Sequence, residues 1–339
     1  MAIRSVIRGV SHYVPERVVT NDFLATKMTT SDQWITERTG IKERRFVEPG
    51  VSASQLGVKA ADSLLKKLYI DPKSIDLLIA ATLSPDYYFP GIGVLMQREL
   101  GLAHIPALDI RAQCSGLVYG LTTVDAYIRS GQAKRVLLVC AEVQSPVLDI
   151  SDRGREMAVL FGDGAGAILI EAEEGEAATA KNNEPGIIDS LLGSDGTGAE
   201  VLSLQYPGTS THEFVSQALL DQDAYHPTMD GKIVFKNAIM RLCETAQLIL
   251  ARNGITPSEL ALVIPHQANL RINEMVREKL QLETDRIFNN IHKYGNTTAA
   301  TIPICLSEAQ AEGRLKQGDL ILTLAFGAGF TWGANLVRW

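Results

Sequence analysis

Three residues far apart in the chain, Cys114, His266 and Asn296, have the side-chain types of a nucleophile and two hydrogen-bond donors. Cys114 lies in LDIRAQCSGLVYGL at 108–121, where an apolar strand ending at Ile110 passes into a helix with apolar positions Leu117, Leu121, Val124 and Ile128. At a helix N-terminus the unpaired N–H groups favour a thiolate, and Ser115 and Gly116 leave little bulk over the sulfur. A lone cysteine is more often packing than chemistry, so its company decides. His266 follows the apolar run ALVIP at 261–265, at a strand end, where open α/β sheets present reacting groups. His12, His104, His212 and His226 sit among turn or surface residues, while His292 is close to Asn296 and remains a weaker competitor. Together they provide a nucleophile with two hydrogen-bond donors, a set suited to nucleophilic catalysis.

These residues need a scaffold that converges them, and an internal repeat supplies one. Residues 60–81 (AADSLLKKLYIDPKSIDLLIAA) are echoed by 245–266 (TAQLILARNGITPSELALVIPH), each a helix, a turn with Ile and Pro, and an apolar strand. The same 185-residue displacement lays VLLVCA at 136–141 over ILTLAF at 321–326, and 128–135 over 313–320. It also lays Cys114 on Ala299, so Asn296 and Thr297 begin the equivalent helix of the second half, and a pseudo-dyad would bring Cys114 and Asn296 together. Apolar runs at 75–81, 136–141, 261–265 and 320–325 predict doubly covered central strands. The expected fold is α/β, internally duplicated, with two similar halves in a layered α-β-α-β-α arrangement. The halves are placed at 1–172 and 186–339, joined by the acidic, solvated stretch 171–186.

Composition narrows the classes. The chain has 339 residues, 46% hydrophobic and 21% charged, and a net charge of −7, which argues against general nucleic-acid binding. Its four cysteines form no CxxC pair and no His cluster at metal spacing, which predicts a reducing, cytoplasmic setting and no metal. Cys140, Cys243 and Cys305 fall inside apolar patterns and read as core. No run is long enough to span a bilayer, and the alternating N-terminus lacks a signal-peptide core. GDGAG at 162–166 lacks dinucleotide-loop spacing and leads into a strand, so it reads as structural.

Taken together, the motifs resemble the thiolase-fold condensing enzymes of the β-ketoacyl-acyl carrier protein synthase III type. The resemblance runs through TSDQWITERTGIKERR at 30–45, the Cys114 turn, FGDGAGA at 161–167, HQANLRI at 266–272, GNTTAA at 295–300 and AFGAGFTWGANLVRW at 325–339. Thiolases carry a second cysteine in the final Gly-rich turn, and this chain has none there. Elongating synthases pair the cysteine with two histidines, whereas this chain offers His266 and Asn296. The resemblance implies an acyl-CoA primer transferred to Cys114, with the oxyanion held by the backbone N–H groups of Cys114 and Ala328. Malonyl-acyl carrier protein is then decarboxylated, with His266 and Asn296 donating to the enolate. It further implies Trp34 and Arg153 around the adenine, Thr30 and Arg38 at the phosphate or ribose end, and Asn269 on the pantetheine arm or supporting His266. Phe89, Gly231 and Phe235 resemble acyl-pocket residues. Lys236, Arg271, Arg277 and Lys279 would form a basic patch for the acidic carrier protein. A homodimer with no tightly bound cofactor is implied as well.

Departures sit around the nucleophile, with Arg111, Gln113 and Ser115 where small residues are commoner, and Ala328 where Gly is usual. The segment 199–228 is longer than the family's usual connection and points to a longer or branched primer. The alternative of the same fold is an acyltransferase or a non-standard condensing enzyme of secondary metabolism. A noncatalytic partner subunit is disfavoured by the intact set, and a papain-like hydrolase gives the duplicated halves and the Gly-rich turn no role.

Overall fold

The computed structural model describes residues 2–210 and 212–339. Nine strands build two sheets of matching connectivity. The first holds β1 (Ala2–Tyr13), β2 (Leu77–Ala81), β3 (Ala107–Ile110), β4 (Arg135–Glu142) and β5 (Gly164–Gly175) in the order β1-β5-β4-β2-β3. The second holds β6 (Gly186–Ser194), β7 (Leu262–Pro265), β8 (Leu320–Gly327) and β9 (Thr331–Arg338) in the order β7-β8-β9-β6. In each, pairing is parallel toward one edge (β4-β2-β3 and β8-β7) and antiparallel toward the other (β4-β5-β1 and β8-β9-β6). The counterpart of β3 is reduced to one bridge between Val263 and Ile287. Thus β7 is buried on both faces but lies at a sheet edge, not in the centre as its apolar run predicts.

Alternation along the strands creates the layers. In β2, Leu77, Ile79 and Ala81 face a core shared with helices α3 (Gly116–Arg129) and α6 (Thr301–Ala311), while Leu78 and Ala80 face the outer helix α2 (Ala53–Leu68). The shared core also takes Ile264 from β7 and Ile321 and Ala325 from β8, so α3 and α6 form a middle layer between the sheets. On the far side, α4 (Gly231–Arg252) and α5 (Leu270–Lys279) cover Val263, Leu322 and Leu336. The result is the expected five-layer α-β-α-β-α arrangement.

The acidic stretch is less of a free connection than its composition suggests. Strand β5 continues to Gly175, past the boundary at 172, because Glu171 and Glu173 pair with Arg4, Arg8 and Arg135. Among the described residues no helix is long and apolar enough to cross a membrane, and no group of three or more His, Cys, Asp or Glu could hold a metal ion.

Candidate active site

Cys114 sits in a one-turn 3-10 helix, Gln113–Ser115, that opens into α3 at Gly116. The second half repeats this at Thr298–Ala300, which opens into α6 at Thr301. The two turns abut: a Cβ on Gly116 would lie 2.8 Å from the Cβ of Ala299 and 3.0 Å from that of Ala81. The Gly-rich turn after β8 closes over the sulfur's backbone, since a Cβ on Gly327 would lie 3.0 Å from the Cys114 nitrogen. Ser115 Oγ donates to the Thr331 carbonyl at 3.0 Å and Thr331 Oγ1 to the Ala112 carbonyl at 3.3 Å, tying this turn to the nucleophile's.

The electrostatics differ from the sequence expectation of a resting thiolate. Cys114 is only 7% exposed, and burial, with the nearby Glu142 carboxylate, pushes its thiol up to about 12 against the pull of the backbone N–H. Desolvation outweighs the helix end, so the resting group is a thiol. Glu142 is itself fully buried, held by Ser84 Oγ (2.7 Å), Leu83 N–H (3.2 Å) and Ala299 N–H (3.4 Å). Burial raises its carboxyl to about 6 in spite of these bonds.

His266 leaves β7 with its N–H on the Leu324 carbonyl (2.7 Å), and its ring Nδ1 lies 2.7 Å from Thr301 Oγ1. Its Nε2 is buried without a protein partner among the described residues, and burial lowers the ring to about 3, which keeps it neutral. Asn296 is anchored from both sides: its N–H donates to the Leu160 carbonyl at 2.8 Å and its carbonyl accepts from Gly162 N–H at 3.0 Å. Its Oδ1 accepts from Thr298 N–H at 2.8 Å, which commits the amide oxygen and leaves Nδ2 as the available donor. Cys114, His266 and Asn296 all line one cavity of about 240 Å³.

Toward the mouth of this cavity stand Trp34 and Arg38, with the Arg38 guanidinium 4.5 Å from the Trp34 ring centroid. The second cation on that ring is Arg155, at 5.1 Å. Arg153, expected beside Trp34, instead pairs with Asp149 (2.6 Å) and Asp223. Both arginines lie in DRGRE, and only packing distinguishes them. Thr30 lies outside the cavity lining with its hydroxyl buried and unpartnered. Asn269 lines the cavity, caps α5 through Arg271 N–H (2.9 Å) and donates to the Arg38 carbonyl (3.1 Å), so it ties α5 to the Trp34 helix.

A second cavity of about 750 Å³ opens beyond Cys114, with Phe161 and Leu202 also shared between the two. Its walls include Leu83, Tyr88, Met157, Arg111, Gln113 and Ala328, and Leu204, Tyr206 and Phe214 from the 199–228 segment. Phe89 is not there: it is 80% exposed and lines neither cavity, while its neighbour Tyr88 packs edge-on against Phe214. Gly231 and Phe235 line the smaller cavity instead of this one, because α4 starts on the Trp34 side. Of the basic residues, Lys236, Arg271 and Lys279 are exposed, with Arg271 over the Phe235 ring at 5.5 Å. Arg277 is engaged by Glu274 (2.7 Å) and Glu278 (3.7 Å) on its own helix, which removes it as a free cation. His292 lines neither cavity, and Cys243 is half-buried while Cys140 and Cys305 are core. Asp163 of GDGAG accepts from Val47, Gln144 and Ser145 N–H groups, a structural role.

Known proteins match this chain along its whole length. Residues 108–196 match the model of 3-oxoacyl-[acyl-carrier-protein] synthase III, and residues 250–339 that of its C-terminal part. The chain is 42% identical over 339 residues to the beta-ketoacyl-[acyl-carrier-protein] synthase III of Rhodobacter capsulatus, covering 100% of both chains. The crystal structure of 3-oxoacyl-[acyl-carrier-protein] synthase III from Aquifex aeolicus superposes with a TM-score of 0.87 at 39% identity, over 99% of this chain and 100% of that one. The priming beta-ketosynthase of the R1128 polyketide pathway superposes with a TM-score of 0.87 at 30% identity, over 99% and 97%. With the cysteine, histidine and asparagine converging from two duplicated halves, the chain belongs to the 3-oxoacyl-[acyl-carrier-protein] synthase III family.

Proposed function

We propose that this chain starts acyl-chain assembly by a decarboxylative condensation of an acyl-CoA primer with malonyl-acyl carrier protein. The observation that carries the reading is the convergence of Cys114, His266 and Asn296 on one cavity whose mouth is framed by Trp34, Arg38 and Arg155. Cys114 loses its thiol proton and attacks the primer thioester. The tetrahedral oxyanion is received by the N–H groups of Cys114 and Ala328, and CoA leaves as a thiol. Malonyl-carrier protein then loses CO2, its enolate oxygen accepts from Asn296 Nδ2 beside His266, and the carbanion carbon displaces Cys114 from the acyl group.

The adenine end of CoA fits the Trp34 ring beside Arg38 and Arg155, with Thr30 and Arg38 toward the phosphate or ribose end and Asn269 on the arm, and the acyl group fits the larger cavity. Phe214 and Leu204 give that cavity room beyond an acetyl group, which favours a longer or branched primer. The exposed Lys236, Arg271 and Lys279 suit an acidic carrier protein. The β3 edge, with the exposed Tyr87, Tyr88 and Phe89 nearby, suits pairing with a second copy. The two halves divide between the end of β5 at Gly175 and the start of β6 at Gly186. The four free cysteines and these substrates fit the cytoplasm, and no tightly bound cofactor enters the scheme.

Intact-protein mass spectrometry tests this directly. The protein is incubated with a ladder of acyl-CoA thioesters and then chased with malonyl-carrier protein. A mass gain lost in Cys114→Ser, and released by the chase as a ketoacyl product, is the expected result. An adduct that persists until a hydroxyl or amine acceptor is added would make the chain an acyltransferase of the same fold.

A further inference from the structure

The ring of His266 is positioned by a hydroxyl from the other side of the site. Thr301, the first residue of α6, lies 35 positions along the chain, and its Oγ1 stands 2.7 Å from His266 Nδ1 and 3.0 Å from the Thr298 carbonyl oxygen. A hydroxyl carries one hydrogen. If Nδ1 were unprotonated, that hydrogen could serve only one of the two contacts, and the other would set lone pair against lone pair in a buried site. With hydrogen on Nδ1 both contacts are hydrogen bonds: Nδ1–H donates to Oγ1, and Oγ1–H donates to the Thr298 carbonyl. That carbonyl also accepts the Thr301 N–H, which its two lone pairs allow.

We propose that Thr301 is a positioning residue that holds neutral His266 in the Nδ1–H tautomer, so that Nε2 presents a lone pair, not a proton, to the Cys114 cavity. Nε2 itself is buried with no protein partner among the described residues, so it is free to meet a group in the cavity. The two polar groups facing the cavity are therefore unlike: Asn296 Nδ2 is a standing donor, and His266 is an acceptor until it is protonated. The Cys114 thiol proton can pass to Nε2 as sulfur attacks the primer carbonyl, and from Nε2 to the CoA sulfur as the C–S bond breaks. Atoms balance, and the ring returns to its starting tautomer. This rests on the proposed use of His266, and it departs from the expectation that His266 begins as a donor.

The test is 15N NMR of the imidazole nitrogens in the full-length protein, together with Thr301→Ser, which keeps the hydroxyl, and Thr301→Val, which keeps the shape. In the wild type and Thr301→Ser, His266 should show a protonated Nδ1 and an unprotonated Nε2. Thr301→Val should shift protonation toward Nε2 and slow single-turnover acylation of Cys114 by roughly tenfold or more, with Thr301→Ser restoring both. A wild-type spectrum with the proton on Nε2 overturns the inference whatever the variants do, and so does an unchanged spectrum and rate in Thr301→Val. Failure of the malonyl chase in wild type would count against the condensing reading instead, because the tautomer is read without substrate.

Discussion

Gln113 and Thr298 share one backbone conformation, with φ of 47° at each, and each opens the turn that leads into a middle-layer helix. Neither is glycine, and a positive φ in such residues is held only where the surroundings over-determine it. They are 185 residues apart, the displacement of the repeat itself. One turn carries Cys114, the other follows Asn296, and the pseudo-dyad between them makes the proposed catalytic centre.

Acylation and condensation should separate by residue. Cys114→Ser should abolish the acyl adduct. Asn296→Ala should acylate at near the normal rate but condense roughly 10²–10³-fold more slowly, the loss typical of one oxyanion donor. Single-turnover acylation beside steady-state ketoacyl formation measures both, and equal losses in the two would contradict the assignment.

The contact between the turns should tolerate no side chain. In Gly116→Ala the new methyl would meet Ala299 and Ala81 within 3.0 Å, and both are held by backbone in the shared core. Thermal unfolding should show a loss of about 1–3 kcal/mol, and acylation should fall further as Cys114 shifts from the Gly327 turn.

Recognition of CoA should follow Arg155 and not Arg153. Trp34→Ala and Arg155→Ala are expected to raise the KM for acyl-CoA several-fold, because the ring loses its face or its cation. Arg153→Ala should leave KM near normal and mainly loosen the 149–153 loop from the 199–228 segment, since its partners are Asp149 and Asp223. The reverse pattern would restore the sequence-based assignment.

Glu142 should make the protein less stable as pH rises. Its carboxyl titrates near 6 in the folded state against 4.5 in the unfolded one, so the folded protein holds the proton more tightly. Stability therefore falls between about pH 4.5 and 6 and is flat above, by on the order of 2 kcal/mol. Glu142→Gln should gain that amount relative to wild type across the same window. His266 acts in the opposite sense, losing stability as pH falls from 6.5 toward 3, and cancels in the wild-type-to-variant difference. Denaturant melts at pH 4.5, 5.5 and 7 on both proteins would check it.

Much of this protein is written in local pattern. Apolar alternation and continuous runs mark strands and helices because burial on one or both faces imposes their period, so the duplication, the layers, the strand-end position of His266 and the helix-start positions of Cys114 and Asn296 can be read from residue order. What tertiary structure alone decided are relations between side chains from separate elements. Arg155 and not Arg153 reaches Trp34, Tyr88 and not Phe89 packs against Phe214 at the larger cavity, and Arg277 spends its charge on Glu274 and Glu278. The resting state of Cys114 belongs here too, since the helix end visible in the sequence is outweighed by a desolvation that only the packed halves create. Thr301 reads as an ordinary helix residue until the fold sets its hydroxyl against His266, because no sequence period encodes a contact between two halves.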